Sequence, residues 1–235
     1  MAWGICRVQS SNGKPKPMKF AKGVVGVLRP ALVLLLAFLS FGFVVLAYQT
    51  IRTLQQVNAV EAERDRWQRA DEIILQLGLK PGDTVVDFGS GAGYFALKLS
   101  NTVGSNGEVL AVDIRRLSLL FLRGRAMLRW PRNIQTIVGG LEDPHLSGRT
   151  ADAVLIANTY HELSEPRQIL LRLSQSMRSG ARLVVVDRSD AERPVSPDSE
   201  VIDLHSAGFQ IASREDRFIV HTDGDIWWII TAVKR

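Results

Sequence analysis

The stretch Thr84-Val-Val-Asp-Phe-Gly-Ser-Gly-Ala-Gly-Tyr-Phe95 constrains the fold more than any other part of the chain. An apolar run ends in an acid, glycines follow at every second position, and an apolar segment compatible with helix comes next. That order describes a buried parallel strand, a tight turn and a helix N-terminus, the junction where α/β sheets offer backbone N–H groups to a nucleotide-type ligand. Gly89, Gly91 and Gly93 stand where backbone must turn with positive φ or approach a ligand closely. The next apolar run, Val109-Leu-Ala-Val-Asp113, also ends in an acid, and a carboxylate there can accept both hydroxyls of a ribose.

The pattern beyond this junction alternates. Strands are predicted at Thr84–Phe88, Glu108–Asp113, Ile134–Val138, Ala153–Ala157 and Arg182–Asp187, and helices at Tyr94–Thr102, Arg116–Arg129, Pro166–Met177 and Asp198–Ala207. Such alternation implies right-handed βαβ units on a parallel sheet. The segments Phe209–Val220 and Ile226–Val233 flank Thr222-Asp-Gly-Asp225, whose Asp-Gly pair signals a hairpin. The expected fold is therefore α/β: a Rossmann-like, doubly wound, mostly parallel seven-stranded sheet that ends in an antiparallel hairpin. Trp227 and Trp228 alternate faces in the last strand, so one is expected in the core and the other exposed or lining a wall.

The N-terminal part reads differently. Ala31 to Tyr48 is an 18-residue stretch without charge. As a helix it is about 27 Å long, near the roughly 30 Å hydrocarbon thickness of a bilayer. We read residues 1–22 as a basic disordered tail, 23–48 as an uncleaved transmembrane anchor with Pro30 in its first turn, 49–70 as a helical stalk and 71–235 as the folded domain. Apolar residues at Ile51, Leu54, Val57 and Val60 carry the stalk's helical spacing, Gly78 caps the first domain helix, and Trp67 packs on the domain.

The net charge of +5 belongs to the tail: residues 1–30 carry six bases and no acid, which leaves −1 for the remainder. This distribution argues against nucleic acid as a partner and for topology setting or anionic lipid contact by the tail. Cys6 is the only cysteine, so no intrachain disulfide and no thiolate metal cluster can form. No metal is expected.

Two ligand classes fit the glycine turn. Gly91-Ala-Gly93-Tyr-Phe-Ala96 satisfies the dinucleotide fingerprint. Against it, Asp87 stands just two residues before the first glycine and would face a pyrophosphate. A sulfonium ligand carries positive charge, no phosphate, and an amino group that Asp87 can help to hold.

On these residues the chain from about Arg64 to Lys234 resembles the class I S-adenosylmethionine-dependent methyltransferases. Asp87-Phe-Gly-Ser-Gly-Ala-Gly93 looks like their first motif, with Ser90 inside the turn, and Asp113 matches the ribose-binding acid. Val138-Gly-Gly-Leu-Glu-Asp-Pro144 resembles the loop after strand three, whose acid meets the adenine amino group, so the resemblance assigns that role to Glu142 or Asp143. Met177-Arg-Ser-Gly-Ala181 is similar to the family's turn into strand five. A closer similarity is to bacterial predicted methyltransferases with an N-terminal signal or anchor, through Arg64-Asp-Arg-Trp67-Gln68 and Asn158-Thr-Tyr160-His161-Glu162. The resemblance implies S-adenosylmethionine as cofactor, held by Asp87, Gly89, Ser90, Gly91, Gly93, Asp113, Glu142 and Asn158.

Methyl transfer to an O–H or N–H acceptor also needs a proton removed. In this fold the residues after strand four lie beside the methyl group. His161 is the candidate general base, since histidine titrates near neutral pH, and Tyr160 the candidate orienting group. Glu162 orients His161 or caps the next helix. The polar groups of Asn158 to Glu165 equally suit a turn that satisfies backbone at a helix end. His145, His205 and His221 are isolated and read as structural.

The expected function is a membrane-anchored methyltransferase acting on a small-molecule or protein acceptor, with the bilayer met through residues 31–48. The rival readings are a non-catalytic module that binds S-adenosylmethionine or S-adenosylhomocysteine, and an NAD(P)-dependent reductase. Lys16, Lys19, Lys22 and Arg29 before the apolar segment against Arg52 after it predict a single-pass protein with a cytoplasmic N-terminus and a domain on the far side. The cytosolic origin of S-adenosylmethionine opposes that side, and the sequence leaves the face open.

Overall fold

The computed structural model describes residues 21–130, 132–189, 195–221 and 224–235. The tail up to residue 20, with Cys6, lies outside them, as do two of the residues in the Thr222–Asp225 turn.

The chain divides into a unit ending at Ala59 and a unit from Val60 to Arg235. Among the described residues the first is helical, the larger part of α1 (Ala21–Trp67), whose last turns belong to the second unit. Pro30 stands inside α1 and not in its first turn, because the helix begins nine residues earlier. A proline there removes one backbone hydrogen bond, which an apolar helix of this length tolerates. From Leu32 onward α1 is long and apolar enough to cross a membrane, and its most apolar stretch is unburied. Leu34, Phe38 and Phe43 are each more than 70% exposed.

The second unit is built on a seven-stranded sheet in the order β3-β2-β1-β4-β5-β7-β6. Strands β1 (Thr84–Phe88), β2 (Glu108–Asp113), β3 (Ile134–Val138), β4 (Ala151–Ala157) and β5 (Met177–Arg188) pair in parallel. Strands β6 (Phe209–Val220) and β7 (Ile226–Lys234) close the edge as an antiparallel pair, with β7 antiparallel to β5. The strand pairing thus follows the doubly wound order expected from the alternation.

Two strands start earlier than their apolar runs. Asp152 sits inside β4, not ahead of it, and its carboxylate accepts from the backbone N–H of Thr84 and from Arg178. β5 starts at Met177 because that residue pairs with Ala151 across an irregularity in the ladder. Polar residues can therefore join a strand edge that periodicity alone assigns to a turn.

Helices α2 (Ala70–Gln76), α3 (Tyr94–Val103) and α4 (Arg116–Met127) contribute to a core on one face, with Ile73, Leu99 and Leu122 fully buried. Helices α5 (Pro166–Gln175) and α6 (Pro197–Ser206) cover the other, around Ile169, Leu173 and Leu204. The stalk helix is not continuous with the first helix beyond it: Arg69 takes φ +53° and separates α1 from α2. Gly78, at φ +65°, follows α2 as a left-handed cap. Trp67 packs on the domain, its ring 5.6 Å from that of Trp227.

Both tryptophans of β7 are buried, where one was expected in the core and the other exposed or lining a wall. Trp227 lies in the core on the α2–α3 side and Trp228 in the core on the α5–α6 side. The alternation is real, but β7 is an interior strand between β5 and β6, so both of its faces are covered.

Candidate functional site

The chain reverses its winding at β1, whose neighbours are β2 and β4. Crevices at the carboxyl ends of strands form at such switch points. Here the crevice is lined by Phe88 and Gly89 after β1, Val112 to Arg115 after β2, Gly139 to Leu141 after β3, and Thr159 with Glu162 to Ser164 after β4.

The glycine turn is compact for identifiable reasons. Gly89 has φ +80°, and a Cβ on it would lie 2.1 Å from Thr159 Oγ1. Gly93, the N-cap of α3, has φ +92°, and its Cβ would lie 2.1 Å from Leu122 Cδ1. No side chain fits at either position, so the backbone itself forms the wall. Gly91 N–H donates to Asp113 Oδ2 over 2.8 Å, and Asp113 Oδ1 accepts from Arg115 N–H at the same distance. Asp113 is thus fixed at the crevice wall, where the Arg115 guanidinium also donates to both of its oxygens, over 3.3 and 3.5 Å.

Asp87 does not line the crevice. It is 2% exposed, beneath the turn, and burial pushes its carboxyl up to about 7. The backbone N–H of Ala96 opposes that rise, the Asp113 charge adds to it, and the Arg64 guanidinium opposes it. Asp87 Oδ2, Ser90 Oγ and Asn158 Oδ1 are buried without a hydrogen-bond partner among the described residues. Buried polar atoms are nearly always partnered. These three orphans lie in or just after β1 and β4, outside the crevice lining, and such atoms suit a polar ligand or bound water.

The loop after β3 behaves otherwise. Glu142 is exposed and is absent from the lining, where Leu141 stands instead. Asp143 caps its own loop by accepting from His145 N–H over 2.7 Å.

The turn after β4 places its residues on two sides of the sheet. Thr159 and Glu162 reach the crevice. Tyr160 points into the α5–α6 core, where its hydroxyl donates to Asp203 Oδ2 over 2.7 Å. Burial, then that bond, push the phenol well above its usual value. His161 is 8% exposed, with Nδ1 2.7 Å from Asp187 Oδ1. It is not among the crevice-lining residues.

Sequence reasoning gave no role to Asp187, Arg115 or Arg64. Asp187 carried a signal: Val184-Val-Val-Asp187 ends an apolar run in an acid, as Asp87 and Asp113 do. Arg64 Nε donates to Gln68 Oε1 over 2.7 Å, and its guanidinium lies 4.0 Å from the Tyr94 ring centre. The Arg64-x-x-Trp67-Gln68 pattern therefore buttresses the far side of the glycine turn.

Residues 79–216 match the family described as a methyltransferase domain. Among curated proteins, the chain is 29% identical over 111 residues to a 2-phytyl-1,4-naphtoquinone methyltransferase of Nostoc sp., covering 47% of this chain and 48% of that protein. It is 28% identical over 141 residues to a ubiquinone/menaquinone biosynthesis C-methyltransferase of Marinomonas sp., covering 60% of this chain and 55% of that protein. The chain thus spans about half the length of these relatives. Among solved structures, a SAM dependent methyltransferase from Aquifex aeolicus superposes with a TM-score of 0.64 at 24% identity, over 71% of this chain and 90% of that one.

Proposed function

The chain belongs to the methyltransferase domain family, and from that premise we propose that it is an S-adenosylmethionine-dependent methyltransferase held at a membrane by α1. The observation that carries the reading is the trio of buried orphan atoms, Asp87 Oδ2, Ser90 Oγ and Asn158 Oδ1, beside a glycine turn that also orients Asp113.

Asp113 would hold the ribose, and the turn from Gly89 to Gly93 would admit the cofactor's backbone-facing edge. Asp87, Ser90 and Asn158 would serve its amino-acid end. Leu141 and Ile114 supply apolar walls. When bound, the cofactor supplies an electrophilic methyl group on a sulfonium. The protein's part is to align an acceptor, exclude water and take a proton. We assign the proton to His161, with Asp187 holding its ring by Nδ1. Tyr160 would act only through packing, since its hydroxyl is engaged by Asp203.

The acceptor we favour is a quinol-like molecule drawn from the bilayer. The relatives' names motivate that choice, as does an apolar helix long enough to cross a membrane. Calorimetry on the full chain in detergent should show binding of S-adenosylhomocysteine, and no measurable heat would overturn the reading. Turnover with isotopically labelled methyl donor and a demethylated quinol tests the acceptor separately.

A second reading has one observation in its favour. His161 is buried away from the crevice lining, as suits a module that binds the cofactor without transferring its methyl group. Cofactor affinity without turnover, and His161→Ala without effect on either, would select it.

A further inference from the structure

Helix α4 turns an apolar stripe to solvent. Leu117, Leu120, Gly124 and Met127 recur at three- and four-residue spacing, and the leucines and the methionine are 82%, 65% and 65% exposed. The helix already has a buried face, carried by Leu119 and Leu122. The stripe is therefore a second apolar face. Leu128 and Trp130, 79% and 78% exposed, extend it beyond the helix. Contiguous exposed apolar surface of this kind marks an interaction site.

The charge around the stripe has one sign. Residues 114–132 hold six arginines and no acid. Arg125 is engaged by Glu61 and Arg115 by Asp113. Arg116, Arg123, Arg129 and Arg132 are exposed and form no ion pair among the described residues. The segment also reaches the crevice, because Ile114, 53% exposed and three residues before Leu117, is among its lining residues.

We propose that this face is an interfacial docking surface for an anionic lipid bilayer, separate from α1. Exposed leucines, a tryptophan and unpaired arginines on one short segment are the composition that settles at the headgroup boundary. The apolar groups enter the boundary while the guanidinium groups meet lipid phosphates. A second copy of the chain suits the face less well, because a two-fold contact would set these arginines against their own copies. Nucleic acid would meet the arginines but leave the leucine stripe without an apolar partner. Docking in this way opens the crevice mouth toward the lipid. The inference needs no methyl transfer, and its failure leaves cofactor affinity untouched.

The test uses the full chain reconstituted in vesicles of brominated zwitterionic lipid, with and without phosphatidylglycerol. The chain has five tryptophans, so emission from the Trp130→Phe protein is subtracted to isolate Trp130. Trp130 is exposed enough for that change to leave the fold intact. With phosphatidylglycerol present, bromine should quench Trp130 by about two-fold or more. Each of Arg116→Gln, Arg123→Gln and Arg129→Gln should lower the docked fraction relative to the undocked one by about five-fold. Amide exchange over residues 116–128 should slow in the same vesicles and not in neutral ones. Unquenched Trp130 emission, or quenching indifferent to both lipid charge and the arginines, would overturn the proposal. So would disulfide capture of two chains through Leu117→Cys in a Cys6→Ser background, which would assign the face to a second copy.

Discussion

His161 and Asp187 are joined twice: the imidazole Nδ1 lies 2.7 Å from Asp187 Oδ1, and the His161 backbone N–H donates to Oδ2 over 3.1 Å. Thr159 N–H donates to the same Oδ2. One wholly buried carboxylate at the end of β5 thus sets both the path of the turn after β4 and the angle of the ring. Asp187→Asn keeps an acceptor for the backbone but turns an amide N–H toward Nδ1, which favours the wrong tautomer. If His161 takes the acceptor proton, kcat should fall on the order of 10- to 100-fold while S-adenosylhomocysteine affinity stays within about two-fold. Paired turnover and calorimetry measurements check this. An equal loss in both would reduce the carboxylate to a structural clamp.

Gly89 offers a sharper steric test. Alanine there meets a positive φ and places Cβ 2.1 Å from Thr159 Oγ1 and 2.4 Å from its Cγ2. Either the turn after β1 or the turn after β4 must move. Gly89→Ala should cost about 1–3 kcal/mol of stability and abolish measurable cofactor binding. Adding Thr159→Gly removes the colliding side chain but not the φ strain, so binding should return only in part. Full recovery would show that the conformation of Gly89 is unimportant.

The central strands of the sheet were legible because they are buried on both faces. Val85 to Asp87 and Val109 to Asp113 are apolar runs ended by acids, and such runs have few alternative readings. The glycine turn was legible for the same local reason. The turn after β4 was not. Tyr160 and His161 are adjacent, yet their partners, Asp203 and Asp187, come from α6 and β5, and no local pattern reports a contact across 26 or 43 residues. At the loop after β3, Leu141 lines the crevice while Glu142 is exposed, a detail that the likeness to the family's loop does not report. That both Trp227 and Trp228 are buried was not legible, because face alternation says nothing about whether a helix covers the outer face. Here α6 does, and Trp228 Nε1 donates to its Glu200.

That Glu200 gives the domain a pH dependence. Its Oε2 accepts from Trp228 over 2.8 Å, its Oε1 is unpartnered among the described residues, and the residue is wholly buried. Burial pushes its carboxyl up to about 8, against the Trp228 bond and with help from the Asp187 and Asp203 charges. The folded state therefore holds this proton more tightly than the unfolded chain, whose reference value is 4.5. The stability it contributes is complete below that value and is lost as pH rises toward 8, at about 1.4 kcal/mol per pH unit. Asp87, raised from 3.8 to about 7, acts in the same direction. Unfolding temperatures of the full chain in detergent should thus fall between pH 5 and pH 8, and Glu200→Gln should flatten the decline. Parallel curves for the two proteins would contradict the assignment.

Arg125 provides the last test, because it ties the end of α1 to the glycine turn. Its guanidinium donates to both Glu61 carboxylate oxygens, over 2.7 and 2.6 Å, and to the carbonyl of Ala92 over 2.7 Å. Only 4% of the residue is exposed, so all of these bonds are shielded from water. Arg125→Ala leaves Glu61 with a poorly solvated charge and should destabilise the domain by about 3–5 kcal/mol. Replacing the pair together, Arg125→Met with Glu61→Leu, removes the orphan charge and should restore most of that loss. It cannot restore the donor to Ala92, which lies between Gly91 and Gly93 in the turn that presents backbone to the crevice. The double variant should therefore unfold near the wild-type temperature yet bind S-adenosylhomocysteine about ten-fold more weakly, the effect of one lost charge-assisted hydrogen bond. Thermal unfolding and calorimetry on the same preparation separate the two effects. Wild-type affinity in the double variant would mean that the turn holds its shape without the arginine.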